Sequence, residues 1–183
     1  DVRPDLEIRP VMGGLVTGAR IGPYAEMEGY IREASSRFAR VTGVAPSDAF
    51  FRRITGSGTI GSSLPPCAAV LQVRAVRPER AADFAAAIQD AHFGEGEDLN
   101  DPATHEAVAR SLGLDVAFDL PRPDEMTPAL SEEFRAVRAL GIASYPTVIV
   151  EQAGRRTVLP TLYDPAAVVQ AVASAERELA AAG

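Results

Sequence analysis

Apolar and polar positions alternate from Asp5 to Val11, where Leu6, Ile8 and Val11 predict a strand closed by the turn-forming Met12-Gly13-Gly14. The spacing then changes to a helical one. Met27, Tyr30, Ile31, Ala34 and Phe38 mark a helix over Tyr24–Val41, and a second, shorter helix is predicted over Pro46–Ile54. A third is predicted over Pro65–Val76, with Ser62 or Ser63 as its cap and prolines in its first turn. Ala82, Phe84, Ala85, Ile88 and His92 carry a fourth over Pro78–Phe93, and Asp101-Pro102 opens a fifth that runs to Leu112 and stops before Gly113. A polar, proline-bearing stretch from Asp119 to Pro128 leads into a sixth helix over Ala129–Leu140. Val148–Glu151 and Arg156–Leu159 then predict a hairpin around Ala153-Gly154, and Asp164-Pro165 starts a last helix that ends near Ala181.

This order is strand, a long helical block, helix, strand, strand, helix. The block is too long for a simple crossover between strands, so an α/β core with an inserted helical subdomain is expected. Residues 1–23 and 141–183 are assigned to the core, and 24–140 to the mainly helical insertion, whose last helix packs back toward the core.

Composition narrows the chemistry. The chain has 183 residues, 46% of them apolar, enough for a sizeable core. No apolar run approaches the roughly 20 residues of a membrane span, so no membrane partner is expected. Residue 1 opens in polar sequence, with no basic region followed by an apolar one. A net charge of −7 argues against nucleic-acid binding, which needs clustered positive charge. All 18 basic residues are arginine. Schiff-base lysines, phosphate-loop lysines and lysine general bases are thereby excluded. The single cysteine, Cys67, excludes an internal disulfide and favours a reducing compartment, so the cytoplasm is expected.

Several motifs invite a functional reading. Gly56-Ser57-Gly58-Thr59-Ile60-Gly61 matches the dinucleotide fingerprint, but it follows a predicted helix instead of a strand and meets Pro65-Pro66 where the phosphate-binding helix should run. It reads as a connection. His92 and His105 lack metal-ligand spacing, and one cysteine cannot complete a zinc set, so no metal is expected. His92 is expected to face the helical core, and His105 to lie on an acidic, exposed helix beside Glu106. Glu132-Glu133 reads as solvated charge in a helix first turn. Cys67 stands near a helix N-terminus, which lowers thiol pKa, yet it has no second cysteine to resolve a mixed disulfide and is expected to be a small buried hydrophobe. Tyr145-Pro146-Thr147 precedes the strand run Val148-Ile149-Val150. From the residues alone it is either an ordinary trans proline opening an edge strand or a cis turn that presents the Tyr145 backbone.

Four segments together resemble the DsbA-like branch of the thioredoxin superfamily, close to its bacterial protein-disulfide isomerases. They are Arg9-Pro10-Val11-Met12-Gly13-Gly14-Leu15, Ser63-Leu64-Pro65-Pro66-Cys67-Ala68-Ala69, the stretch from Ala91 to Leu99, and the stretch from Gly141 to Val150. The resemblance implies a thioredoxin-like fold with an all-helical insertion, and a thiol–disulfide oxidoreductase acting on protein or small-thiol disulfides. It implies that Ser144, Tyr145, Pro146 and Thr147 form a cis-proline loop facing the substrate, and that Met12, Gly13 and Gly14 line the same site. No catalytic residue is expected among the 183, and no cofactor.

Members of this branch carry a strand, a Cys-x-x-Cys pair and a long helix before the segment matching Asp5–Val11. Those residues are expected upstream of Asp1, because loss of a central strand costs more than the roughly 5–15 kcal/mol of net stability of a domain. Otherwise the strand is borrowed from a partner or the fold is rebuilt. Two further readings stay open: a glutathione-using enzyme of the same branch, similar to kappa-class transferases and 2-hydroxychromene-2-carboxylate isomerases, and a redox-inactive peptide-binding module. An unpaired strand edge would favour a homodimer.

Overall fold

The computed structural model describes residues 3, 5–56, 58–142 and 144–181, so Ser57 and Ala143 of the motifs above lie outside the described residues. The chain divides into two compact units, Glu7–Leu140 and a second made of Asp1–Leu6 with Gly141–Gly183.

The larger unit is helical. Its α-helices are α1 (Glu28–Thr42), α2 (Asp48–Gly56), α3 (Leu64–Val76), α4 (Ala81–Gln89), α5 (Pro102–Ser111) and α6 (Pro128–Ala139). A two-residue pair, β1 (Gly22–Pro23) against β2 (Ile60–Gly61), is antiparallel. The starts follow local chemistry. Asp101 accepts the Ala103 N–H at 2.9 Å to open α5, Thr127 accepts that of Leu130 at 3.3 Å to open α6, and each helix carries a proline in its first turn. At α3 it is the Ser62 hydroxyl that accepts the Leu64 N–H, at 3.1 Å. Ser63 does not cap with its side chain, which is used elsewhere.

The helix predicted over Pro78–Phe93 is three successive windings: a 3-10 turn at Pro78–Arg80, α4, and a π-helical stretch over Asp90–Glu95. Gly96 ends the last with φ +75°, and a Cβ built there would stand 2.6 Å from the carbonyl carbon and oxygen of Ala49. Only glycine lets the π stretch close against the start of α2.

Two apolar clusters share α3. Ala69, Val70 and Val73 pack with Ala81, Phe84, Ile88, Ala109 and Leu114, while Leu64 and Ala68 pack with Leu130 and Phe134 of α6. Burial of each such Leu or Phe is worth about 1.5–3 kcal/mol, so α3 is the axis of this unit.

His105 corrects an expectation: it is fully buried instead of exposed. Its ring lies among Phe84 and Phe118, Nε2–H donates to the Leu99 carbonyl at 2.8 Å, and Nδ1 has no partner among the described residues. The neighbouring Glu106 suggests surface, yet the i, i+4 spacing of the helix places His105 with Ala109 on the inner face. His92 is buried as expected, with Nδ1–H donating to the Glu97 carbonyl at 2.8 Å and Nε2 accepting from the Tyr24 hydroxyl at 3.3 Å.

The strand predicted over Asp5–Val11 is not formed. Asp5 and Leu6 belong to a turn, with Leu6 N–H donating to the Arg3 carbonyl, and residues 7–14 join no ladder. Ile8 is 67% exposed, so the alternating pattern there buries nothing. The backbone groups beyond it bond to side chains instead of to a neighbouring strand.

The smaller unit holds the hairpin β3 (Ile149–Gln152) and β4 (Arg155–Val158), paired from Ile149↔Val158 to Gln152↔Arg155, followed by α7 (Pro165–Ala181). Ala153 and Gly154 both have positive φ, as a tight two-residue hairpin loop requires. Asp164 caps α7 by accepting the Ala167 N–H at 3.0 Å, and Arg3 bonds Glu176 of that helix at 2.9 Å.

Two measurements test these contacts. Gly96→Ala is expected to lower stability by about 2 kcal/mol in urea unfolding, through overpacking against α2 and a left-handed backbone. Burial lowers the pKa of His105 and His92 below their ordinary 6.5, against the opposing Leu99 and Glu97 carbonyls and the nearby Asp98 and Asp101. The unfolded chain then binds more protons, so stability present above pH 6.5 is lost as the pH falls below it. The melting temperature should drop between pH 7 and 5, and His105→Gln, which still offers Leu99 a donor, should flatten the drop; an unchanged slope would refute the assignment.

Candidate substrate-loop site

The segment from Pro10 to Val16 is anchored at every second residue. Arg74 Nη1 donates to the Pro10 carbonyl at 2.8 Å, and the Met12 N–H donates to Glu133 Oε1 at 3.0 Å. The Gly14 N–H donates to the Cys67 sulfur. Val16 N–H donates to Ser63 Oγ at 2.8 Å, and its carbonyl accepts the Ser63 N–H at 2.9 Å. Ser63, Cys67 and Arg74 lie at i, i+4 and i+11, one stripe of α3 that runs antiparallel to the segment.

Arg74 and Glu133 complete the arrangement with a bidentate pair, Nη1 to Oε1 at 2.7 Å and Nη2 to Oε2 at 2.8 Å. Their side chains are only 16% and 10% exposed. Burial by itself would raise the Glu133 carboxyl, but the Arg74 guanidinium and the Met12 N–H outweigh it and hold the pKa below the usual range. Hydrogen bonding to Glu133 raises the Arg74 pKa in return.

Of the predicted loop residues, Met12 packs on both apolar clusters. Gly14 has φ +70°, and a Cβ there would lie 2.6 Å from the Phe134 ring. Both are thus turned toward the helices. Gly13 lies between them, and the flanking side chains Val11 and Leu15 are 44% and 61% exposed.

The smaller unit carries the other predicted residues. Ser144, Tyr145, Pro146 and Thr147 stand together, with Thr147 Oγ1–H donating to the Ser144 carbonyl at 2.6 Å. The Tyr145-Pro146 peptide is cis, and the Tyr145 side chain is 42% exposed. Behind it a cleft of about 30 Å³, lined by Pro146, Val148, Leu159 and Val168 among others, has room for about one water. It is a packed wall and not a ligand cavity.

A groove of about 540 Å³ lies elsewhere, where Asp90, Glu97 and Asp101 rim a floor of alanines between α4, the π stretch and α5. It contains none of the predicted site residues. The described part of the Gly56–Gly61 motif follows α2 and leads into the two-residue β2, so it has no strand before it. No group of three or more His, Cys, Asp or Glu among the described residues is arranged to hold a metal, and no described helix is long and apolar enough to cross a membrane.

Arg74 carries no expected role in the sequence, and Glu133 corrects an expectation: Glu132 is exposed, but α6 starts at Pro128 with no acidic residue in its first turn, and Glu133 is turned from solvent toward Arg74. The signal is present in the chain: Arg74 is the one charged residue of α3, and Glu133 sits next to the inward Phe134 between Leu130 and Val137. A charge of each sign on otherwise apolar faces is the mark of a buried pair.

No protein-family model and no curated protein sequence matches the chain. Solved structures do. The cytosolic disulfide reductase DsbM from Pseudomonas aeruginosa is similar over 96% of this chain and 85% of its own, with TM-score 0.75 and 27% identity. A structure of the same reductase with glutathione matches over 96% and 86%, with TM-score 0.72 and 25% identity. A provisionally assigned protein disulfide isomerase from Nitrosomonas europaea matches over 84% and 75%, with TM-score 0.65 and 24% identity, a likeness of fold. The chain thus has a DsbA-like thioredoxin fold with a helical insertion.

Cys67 has the position of an activated thiol without its chemistry. Burial pushes its pKa up to about 12, the Gly14 N–H lowers it by less, and Glu133 adds to the rise. At pH 8 the thiol then prevails over the thiolate, the reactive form. Iodoacetamide is expected to leave native Cys67 largely unmodified at pH 8 and to label it quickly in 6 M guanidinium; equal rates in the two states would contradict this burial.

Proposed function

We propose that the chain serves thiol–disulfide exchange on small-thiol or protein disulfides, and that Tyr145–Thr147 and the Met12–Gly14 loop each contact the substrate. The observation that carries this reading is the likeness to a disulfide reductase across 96% of the chain. The same reductase has been solved with glutathione, which favours a small thiol such as glutathione among the substrates. Its cytosolic setting fits a reducing cytoplasm for this chain, whose only cysteine makes no disulfide.

In such exchange a thiolate attacks one sulfur of the substrate disulfide, the other sulfur leaves as a thiolate, and a second cysteine resolves the mixed disulfide. Cys67 does not fill either role, given its raised pKa. These 183 residues hold a single cysteine and so no reacting pair, and their part in the exchange is to hold and orient the substrate. An exposed Tyr145 beside backbone of a loop opening β3 suits the pairing of an extended thiol peptide, with arginine as the sole basic residue type available to a carboxylate.

The test is insulin reduction by the intact protein with dithiothreitol, alongside glutathione titration of the 183-residue chain followed by amide chemical shifts. A rate above dithiothreitol alone, and shifts at Tyr145, Thr147 and Gly13, are expected. No added rate from a protein bearing a cysteine pair, together with unmoved shifts, would sink the proposal.

A further inference from the structure

We infer that Arg74 and Glu133 are positioning residues of the proposed site, holding the Pro10–Met12 backbone in the geometry in which the Met12–Gly14 loop meets its substrate. This rests on the substrate-contacting reading of that loop.

The bonds form a closed circuit. The Pro10 carbonyl accepts from Arg74 Nη1, the same nitrogen donates to Glu133 Oε1, and that oxygen also accepts the Met12 N–H. One ion pair thus fixes a carbonyl and an amide two residues apart, as a neighbouring strand would. Simple stability does not explain the choice. A buried ion pair is often matched or bettered by apolar side chains of the same size, because both charges lose water. What apolar side chains cannot do is bond the two backbone groups. A planar guanidinium, with several donors in a fixed fork, can serve the carboxylate and the carbonyl at once.

The rest of the loop is arranged so that this tether matters. Gly14 is seated on Phe134, the neighbour of Glu133, and is bonded to Cys67 two turns before Arg74 on the same stripe of α3. Without the circuit, Met12 would keep its apolar contacts but the chain entering Gly13 would lose its fixed direction. Neither Arg74 nor Glu133 is open enough to meet a substrate, so their effect passes through the loop.

The decisive variant is the double change Arg74→Met with Glu133→Met, which keeps volume and removes both charges and both backbone tethers. Three quantities are read in the 183-residue chain: melting temperature, hydrogen exchange of the amides from Met12 to Leu15, and glutathione affinity by titration. The melting temperature should stay within a few degrees, while exchange at those amides speeds up and affinity falls about tenfold or more, the order expected when a binding group is misplaced. Glu133→Gln keeps an acceptor for Met12 and should retain most of the affinity. Arg74→Lys keeps the charge without the fork, should fold even if the double variant does not, and should show the faster exchange. Unchanged exchange in the double variant and in Arg74→Lys overturns the positioning role whether or not glutathione binds. Faster exchange with unchanged affinity overturns it as well. Absence of glutathione binding to the unaltered chain counts against the substrate reading, and the inference then falls with it as a statement about the site.

Discussion

The half-buried Arg74–Glu133 pair is the constraint on which the larger unit's candidate site depends. It joins α3 to α6 and ties both to a segment that has no regular structure of its own. A chain with no strand beside it must satisfy its backbone groups elsewhere, and here side chains of two helices take the strand's place. Serine, cysteine, arginine and glutamate each supply the donor or acceptor that the facing backbone group needs. The segment is ordered by what it touches, and the loop geometry is a property of the helical packing.

That dependence gives α3 two roles. One face fills both apolar clusters and fixes how the helices stand against one another. The adjoining stripe carries the anchors of the loop. Cys67 belongs with these anchors, since its sulfur accepts the Gly14 N–H and its thiol is held protonated by the same burial that makes it a good filler. A helix N-terminus by itself would favour the thiolate, but near an apolar cluster and a carboxylate the cost of burying a charge prevails.

Much of this architecture is legible in the sequence because local signals and tertiary packing agree. Asp101-Pro102 and Asp164-Pro165 each open a helix where cap and proline say they should, and Ala153-Gly154 turns the hairpin. The misreadings arise where partners distant in sequence decide. Asp5–Val11 has a strand's alternation, but a strand exists only with a neighbour to bond, and α3 and α6 claim the backbone that follows. His105 and Glu133 read as surface from the charges beside them in sequence, whereas helix rotation puts the former among Phe84 and Phe118 and the latter against Arg74. The positions of Met12 and Gly14 are legible from resemblance, but their inward orientation is not, because one-dimensional spacing does not say which side of a loop faces a helix.

The contact between Gly14 and the Phe134 ring bears on how such a chain can vary. With a Cβ excluded at 2.6 Å and a left-handed backbone as well, position 14 has no freedom while an aromatic occupies position 134. Trimming Phe134 would open space but leave a hole in the cluster with Leu64, Ala68 and Leu130. Neither residue can change first without loss, so drift at this corner is blocked in both directions. Change along this loop is left to Val11 and Leu15, whose side chains are open, while the glycine and the ring can be altered only as one unit.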